Sequence, residues 1–189
     1  MAGPWLSAHL YEHFLFSGDR EFLKTRAYPV MRGAAEFCLA WLIEDGTGML
    51  TTCPSESTEN DFRAPDGKAA MTSAGCTMDI ALIREVFTNC VASSKLLGVD
   101  QDFASKLDAA MKRLPPYRIG SHGQLQEWSE DFAESQPGQR HMSHMYPLYP
   151  GNAITPRGTP EFAKAVRVSL GQGACRDRSR SLATRRSRS

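Results

Sequence analysis

Long apolar runs are missing from this sequence. Nothing in its 189 residues approaches the roughly 20 consecutive apolar residues that span a bilayer, so no membrane segment is expected. Charge of one sign is scarce as well. The net charge is +1, and from Gly171 onward six arginines face a single acid, which leaves the preceding body with 16 basic and 20 acidic residues. Such a body offers no basic stripe for nucleic acid or an anionic membrane surface, and neither partner is expected. Paired cysteines are absent too. Cys38, Cys53, Cys76, Cys90 and Cys175 are widely spaced, without a C-x-x-C pair. That spacing argues against a zinc or redox module; disulfides stay open, with buried or half-buried free thiols the favoured expectation. No G-x-S-x-G elbow supports a serine-type triad. The opening Met-Ala-Gly-Pro-Trp-Leu has neither the basic nor the apolar region of a signal peptide, and localisation stays open.

What is present is a globular composition, 41% apolar and 23% charged, long enough for one domain with a real core. The apolar spacing is helical. Leu6, Leu10 and Phe14 recur on one face of a segment from Trp5 to Phe16, which Ser17-Gly18-Asp19 closes. A short helical turn from Arg20 leads to Pro29, which fits the first turn of a helix running through Met31, Ala34, Ala35, Cys38 and Trp41 to Asp45-Gly46. Residues 46–75 read as one loop of about 30 residues, a length that is usually functional or disordered. Helix resumes at Thr77 with Ile80, Ile83 and Phe87 on its apolar face and Gly98 as its stop. Asp100 caps a further helix to Leu114. A second irregular stretch, Tyr117 to Pro156, precedes a last helix from Thr159. No strand pairing is expected, and the fold class is all-α: helical hairpins with the chemistry on long loops. The domain division is 1–170 for the folded body and 171–189 for an Arg/Ser-rich tail, disordered or the product of a lost reading frame.

Several patterns carry chemistry. His9-x-x-Glu12-His13 has the H-x-x-E-H spacing of an inverted zinc-peptidase site, although Leu10 and Phe14 already explain that helix as packing. The loop Pro54-Ser55-Glu56-Ser57-Thr58-Glu59-Asn60 sets two acids among small polar residues behind a rigid proline. Glycoside hydrolysis needs a carboxylic acid held neutral to protonate the leaving oxygen, and partial burial would supply one by raising the carboxyl pKa. Gln124-Leu125-Gln126-Glu127-Trp128 joins an indole, which stacks on sugar faces, to amides and a carboxyl that bond hydroxyls. Arg140-His141-x-x-His144-x-Tyr146 adds cationic and imidazole groups suited to orienting a glycoside.

In order along the chain, these segments resemble the catalytic domain of glycoside hydrolase family 95, the 1,2-α-L-fucosidase family. The resemblance runs from about residue 3 to 170. It is carried by Trp5-Leu6-x-x-His9-Leu10-Tyr11-Glu12-His13, Gly18-Asp19-Arg20-Glu21-Phe22-Leu23, Tyr28-Pro29-x-Met31-x-Gly33-Ala34-Ala35-Glu36-Phe37, Pro54-Ser55 to Glu59-Asn60, His122 to Trp128, and His141-x-Ser143-His144-x-Tyr146-x-Leu148-Tyr149-Pro150-Gly151. It implies a partial (α/α)6 barrel of the six-hairpin type and inverting hydrolysis of α-L-fucosides, with a fucosylated oligosaccharide or glycan as substrate and no metal or other cofactor. Carried over, Glu59 matches the general acid, with Glu127 the second choice, and Arg140 and His141 match the pair that contacts the sugar; Trp128 and His144 join them as binding residues. Thr58 stands where the family pattern has a proline.

The family's water-activating Asn-x-Asn segment and downstream aspartate have no match here. Inversion requires a base opposite the acid, with roughly 6.5–9.5 Å between carboxyls. The expectation is therefore an internal fragment, inactive and only marginally folded alone, from a parent type often secreted or periplasmic. The non-enzymatic alternative is a carbohydrate-binding remnant that keeps Trp128, Arg140 and His141 without turnover. Oligomeric state is left open.

Overall fold

The computed structural model describes residues 1–136 and 138–171; the tail expected over 171–189 lies, but for Gly171, outside the described residues. The described chain is mostly helical and divides into two compact units.

The first unit comprises Met1–Cys53 and Asp79–Pro116. Helix α1 (Ala2–Ser17) stops where Gly18 turns left-handed at φ 67° and returns its N–H to the Phe14 carbonyl, a conformation glycine adopts without steric cost. Leu10 and Phe14 pack on the core, whereas Leu6 stays 64% exposed, so only part of the expected apolar face is used. Asp19 accepts the Phe22 N–H at 2.9 Å and so caps the short α2 (Arg20–Phe22). A π turn, Leu23–Ala27, carries the chain without a break into α3 (Tyr28–Trp41). Pro29 lies in the first turn of α3 as expected. Because proline lacks a donor and crowds the carbonyl four residues back, the preceding turn widens and the Tyr28 N–H reaches Leu23 O.

Helix α4 (Thr77–Leu97) is closed by Gly98 at φ 71°, and α5 (Gln101–Met111) follows. Asp100 precedes α5 at φ 54° but makes no side-chain cap. Its carboxylate is used instead by the Tyr28 hydroxyl and the Arg32 guanidinium, each at 3.0 Å. Leu23, Met31, Ala35, Ile83, Phe87 and Leu107 are wholly buried in the core of this unit, each large side chain contributing about 1.5–3 kcal/mol by leaving water. Cys38 and Cys90 lie in the same core, and burial pushes both thiols up to about 12. Cys76 is buried as well, but Cys53 is exposed, contrary to the expectation of buried or half-buried thiols. Cys175 lies outside the described residues.

Residues 42–73 correct the expectation that strands are absent. α3 ends at Trp41, before Asp45-Gly46, and β1 (Leu42–Glu44) pairs antiparallel with β2 (Leu50–Thr52). The Arg113 guanidinium braces this hairpin, pairing with Glu44 and donating to Gly48 O. In the second unit, β3 (Ser55–Glu56) pairs with β6 (Thr72–Ser73), and β4 (Phe62–Arg63) with β5 (Ala69–Ala70). Two- and three-residue strands are too short to show a period-two apolar pattern, so periodicity passes over them. Pro65-Asp66-Gly67 is a turn signal that marks the β4–β5 connection; Gly67 sits at φ 81° and Asp66 accepts the Lys68 N–H.

The second unit comprises Pro54–Met78 and the chain from Tyr117 on. It contains helix α6 over 160–171 and a small apolar cluster of Leu125, Ile154, Ala165 and Val166. Glu59, Glu127, Trp128, Arg140, His141 and His144 fall within it, whereas His9, Glu12 and His13 lie in the first unit.

Candidate active site

The site is built on the turn that follows β3. The Asn60 N–H donates to Ser57 O at 3.1 Å, and Glu59, third residue of that turn, has φ 54°. An L residue in the left-handed region costs on the order of 1–3 kcal/mol and persists only where its surroundings hold it. Here the neighbours of Glu59 are held firmly: Ser57 is fully buried and Asn60 is 1% exposed. The Glu59 side chain points away from that packing and is 63% exposed. The expected partial burial of this carboxyl is therefore not found; the turn places it outward.

Two of the expected sugar-binding residues meet the Glu59 carboxylate directly. His141 Nε2 lies 3.2 Å and Arg140 Nη2 3.4 Å from Glu59 Oε2. The Gln139 side-chain amide donates to the Glu59 backbone carbonyl at 3.0 Å, which ties that side chain to the main chain of the turn. Glu59, Arg140 and His141, some 80 residues apart in sequence, thus form one cluster.

Beneath the turn lies a buried polar network centred on Glu127, which is 5% exposed. The Asn60 amide donates to both carboxylate oxygens at 3.1 Å, and the Ser57 hydroxyl donates to Oε1. His144 Nδ1 lies 3.1 Å from Oε2. Ser57 also bonds the Ser143 hydroxyl. Burial pushes the Glu127 carboxyl up, but His144, Ser57 and Asn60 more than offset it and hold the carboxyl below its ordinary value. The backbone is pinned as well: Glu127 O accepts the Thr77 N–H, and Gln126 O accepts the Thr77 hydroxyl.

Trp128 is 4% exposed. Its indole lies 5.5 Å from the Phe62 ring, which stacks on Phe132 at 4.3 Å and 14°. The indole is thus part of an aromatic stack, with its ring nitrogen buried and unpartnered. A cavity of about 380 Å³ opens here, lined by Asn60, Glu127, Trp128, Asp131, His141 and His144 among others. Asp131 accepts the Ser121 N–H at 2.6 Å and the Gln124 amide at 2.9 Å, and those donors hold its carboxyl below the ordinary value.

Ser57, Asn60 and Ser143 are the residues that sequence reasoning passed over as functional. All three stood inside segments already singled out, but only their convergence on Glu127 gives them a task. At the opposite end of the sequence, His9 Nδ1 pairs at 3.8 Å with Glu12, both side chains exposed, and the His13 ring packs on Phe22 at 4.4 Å. Among the described residues no group of three or more His, Cys, Asp or Glu side chains is placed to hold a metal ion.

The arrangement offers an outward carboxyl between two cationic or hydrogen-bonding groups, above a buried carboxylate and beside a polar, aromatic-lined cavity. A family model described as the glycosyl hydrolase family 95 catalytic domain matches residues 1–185. The chain is similar to Alpha-L-fucosidase 2 of Arabidopsis thaliana, with 46% identity over 171 residues, covering 90% of this chain and 20% of the plant protein. It is also similar to Probable alpha-fucosidase A of Aspergillus niger, with 32% identity over 160 residues, covering 80% of this chain and 19% of the fungal protein. The chain spans about a fifth of the length of these curated relatives. Its sequence and its match over nearly the whole chain place it in one family: it belongs to the glycoside hydrolase family 95 catalytic domains.

Proposed function

We propose that this chain is the acid-bearing segment of an inverting α-L-fucosidase, an (α/α)6-barrel enzyme that removes terminal α-L-fucose from oligosaccharides or glycans. The observation that carries the reading is the cluster of Glu59, Arg140 and His141 on one face of a strained turn, in a chain whose relatives are named as α-fucosidases. Glu59 is the general acid that protonates the leaving oxygen. Arg140 and His141, each within hydrogen-bonding or ion-pair reach of that acid, orient the sugar. Trp128 and His144 support the cavity wall more than they offer a stacking face, since both are nearly buried.

Glu127 is poorly placed to act as the proton donor. Its carboxylate already accepts from Ser57 and Asn60, and those donors favour the charged form. Glycoside inversion also needs a water activated on the opposite face of the ring. The asparagine pair and the aspartate proposed for that step have no match in these 189 residues, so this stretch alone is inactive.

In the full-length protein carrying this segment, Glu59→Gln should lower kcat by about 10²–10⁴-fold on a 1→2-linked fucosyl disaccharide, the range general acid catalysis contributes. Turnover of fucosyl fluoride, whose leaving group needs no proton, should be largely spared. Near-normal disaccharide hydrolysis would remove Glu59 from the role. Robust fucose release by the purified 189-residue chain would refute its inactivity. Calorimetry on the same chain with fucosylated oligosaccharides tests the rival reading, binding without turnover, for which the cavity beside Trp128 is the supporting feature.

A further inference from the structure

A buried carboxylate is costly unless its lone pairs are answered, and Glu127 has its answers drawn from separate stretches of chain. Ser57 and Asn60 come from the turn after β3, His144 from a later segment, and the Thr77 N–H fixes its own carbonyl. The placement of two of these is informative. Asn60 is the residue after Glu59 and Ser57 is two residues before it, and the Asn60 N–H to Ser57 O bond closes the turn between them. One carboxylate therefore grips both ends of the turn that holds Glu59 at φ 54°. The amide of Asn60 has no freedom in this: rotated by 180° it would turn its oxygen on the carboxylate. The grip extends further, because Ser57 bonds Ser143 and Glu127 meets His144, residues that follow closely on His141, itself 3.2 Å from Glu59.

We propose that Glu127 is a positioning residue for the reaction: by holding Ser57 and Asn60 it fixes the strained backbone of Glu59, and through Ser143 and His144 it fixes the segment that carries His141. The inference rests on the reading of Glu59 as the general acid. Catalytic geometry is sensitive to such support, a misplacement of about 1 Å costing about 10²-fold in rate. The carboxylate touches neither substrate nor reacting atoms in this role; it acts through Glu59.

The test uses the full-length protein with Glu127→Gln, the milder Ser57→Ala and Asn60→Ala, Glu59→Gln, and the Glu59→Gln/Glu127→Gln double variant. Each is assayed on the 1→2-linked disaccharide and on fucosyl fluoride. Glu127→Gln should lower kcat on the disaccharide by about 10–100-fold with KM little changed, and should leave the fluoride within about threefold, within the scatter of non-specific effects. Ser57→Ala and Asn60→Ala should show the same leaving-group dependence to a smaller degree. The double variant should be no slower than Glu59→Gln alone, because groups acting as a unit are not additive. A merely structural role would lower both substrates together by reducing the active fraction, and that result overturns the proposal. So does a double variant whose losses multiply. If Glu127→Gln does not fold, the two milder variants decide by the same criterion. If Glu59→Gln itself shows no leaving-group dependence, the acid assignment falls and the positioning role with it; if Glu59→Gln shows it and the other variants do not, only the positioning role falls.

Discussion

The two units of this chain are held by different forces. In the first, helices α1 to α5 close around Leu23, Met31, Ile83, Phe87 and Leu107, with Asp79 and a few hydroxyls such as Thr52 and Ser93 as its buried polar exceptions. In the second, the buried set includes Ser55, Ser57, Asn60, Gln126, Glu127 and His144, and its apolar cluster is small. Apolar packing is non-directional and tolerates sliding and repacking. A hydrogen-bonded buried charge tolerates neither, because each displaced partner leaves an unanswered group in a medium of low dielectric. The unit built on the second principle is the one that carries Glu59, Arg140 and His141. Rigid placement of a few polar atoms is what catalysis asks for.

The comparison can be broken in three places. The largest effect is expected from Phe87→Ala in the helical unit. Phe87 is wholly buried, and its truncation should cost about 3–5 kcal/mol, read as a lower urea midpoint of helical circular dichroism in the full-length protein that carries this segment. The loss should be the same at pH 7 and pH 4, since no titrating group is removed.

Glu127→Gln should cost less, about 1.5–3 kcal/mol for hydrogen bonds to a charged acceptor, and should behave differently with pH. The Glu127 carboxyl is depressed below its ordinary 4.5 in the folded chain, burial being outweighed by His144, Ser57 and Asn60. A depressed carboxyl contributes stability that is fully present above its unfolded pKa and lost as pH falls through the folded one. The gap between the wild-type and Gln chains should therefore close progressively as the pH falls below about 4.5, followed by the same titration at a series of pH values. A gap independent of pH would mean that shape, not charge, holds the second unit together.

The smallest effect is expected from Thr58→Pro. Thr58 is the second residue of a turn whose third, Glu59, has positive φ, the pattern in which proline is favoured at the second position. The substitution should stabilise by about 0.4–1 kcal/mol, mainly by restricting the unfolded chain, and should raise Tm slightly. A clear fall in Tm would show that the Thr58 hydroxyl, 3.7 Å from Met78 Sδ, matters more than the backbone.

Most of the helices could be read directly. Gly18 and Gly98 stop helices where expected, and Ile83 and Phe87 line the buried face of α4. Asp100 shows the limit of such reading: its position before α5 suggested a cap, but Tyr28 and Arg32 compete for its carboxylate across more than 60 residues. The hairpins of 42–73 escaped because their ladders are two or three residues long. The site was half readable. Resemblance singled out Glu59, Arg140 and His141, and nothing local showed that they touch. Trp128 was expected as a sugar platform from its residue type, and its packing on Phe62 depends on a strand far away in sequence.

By itself, then, the amino-acid sequence determined the helical body and the family and singled out the turn that carries Glu59, because periodicity and ordered motifs are properties of near neighbours and of residue order. Tertiary structure alone decided that Glu59 faces outward onto Arg140 and His141, and that Glu127 is buried beneath it. Exposure and hydrogen-bond partners depend on which distant segments fold against a residue, and no local pattern encodes them.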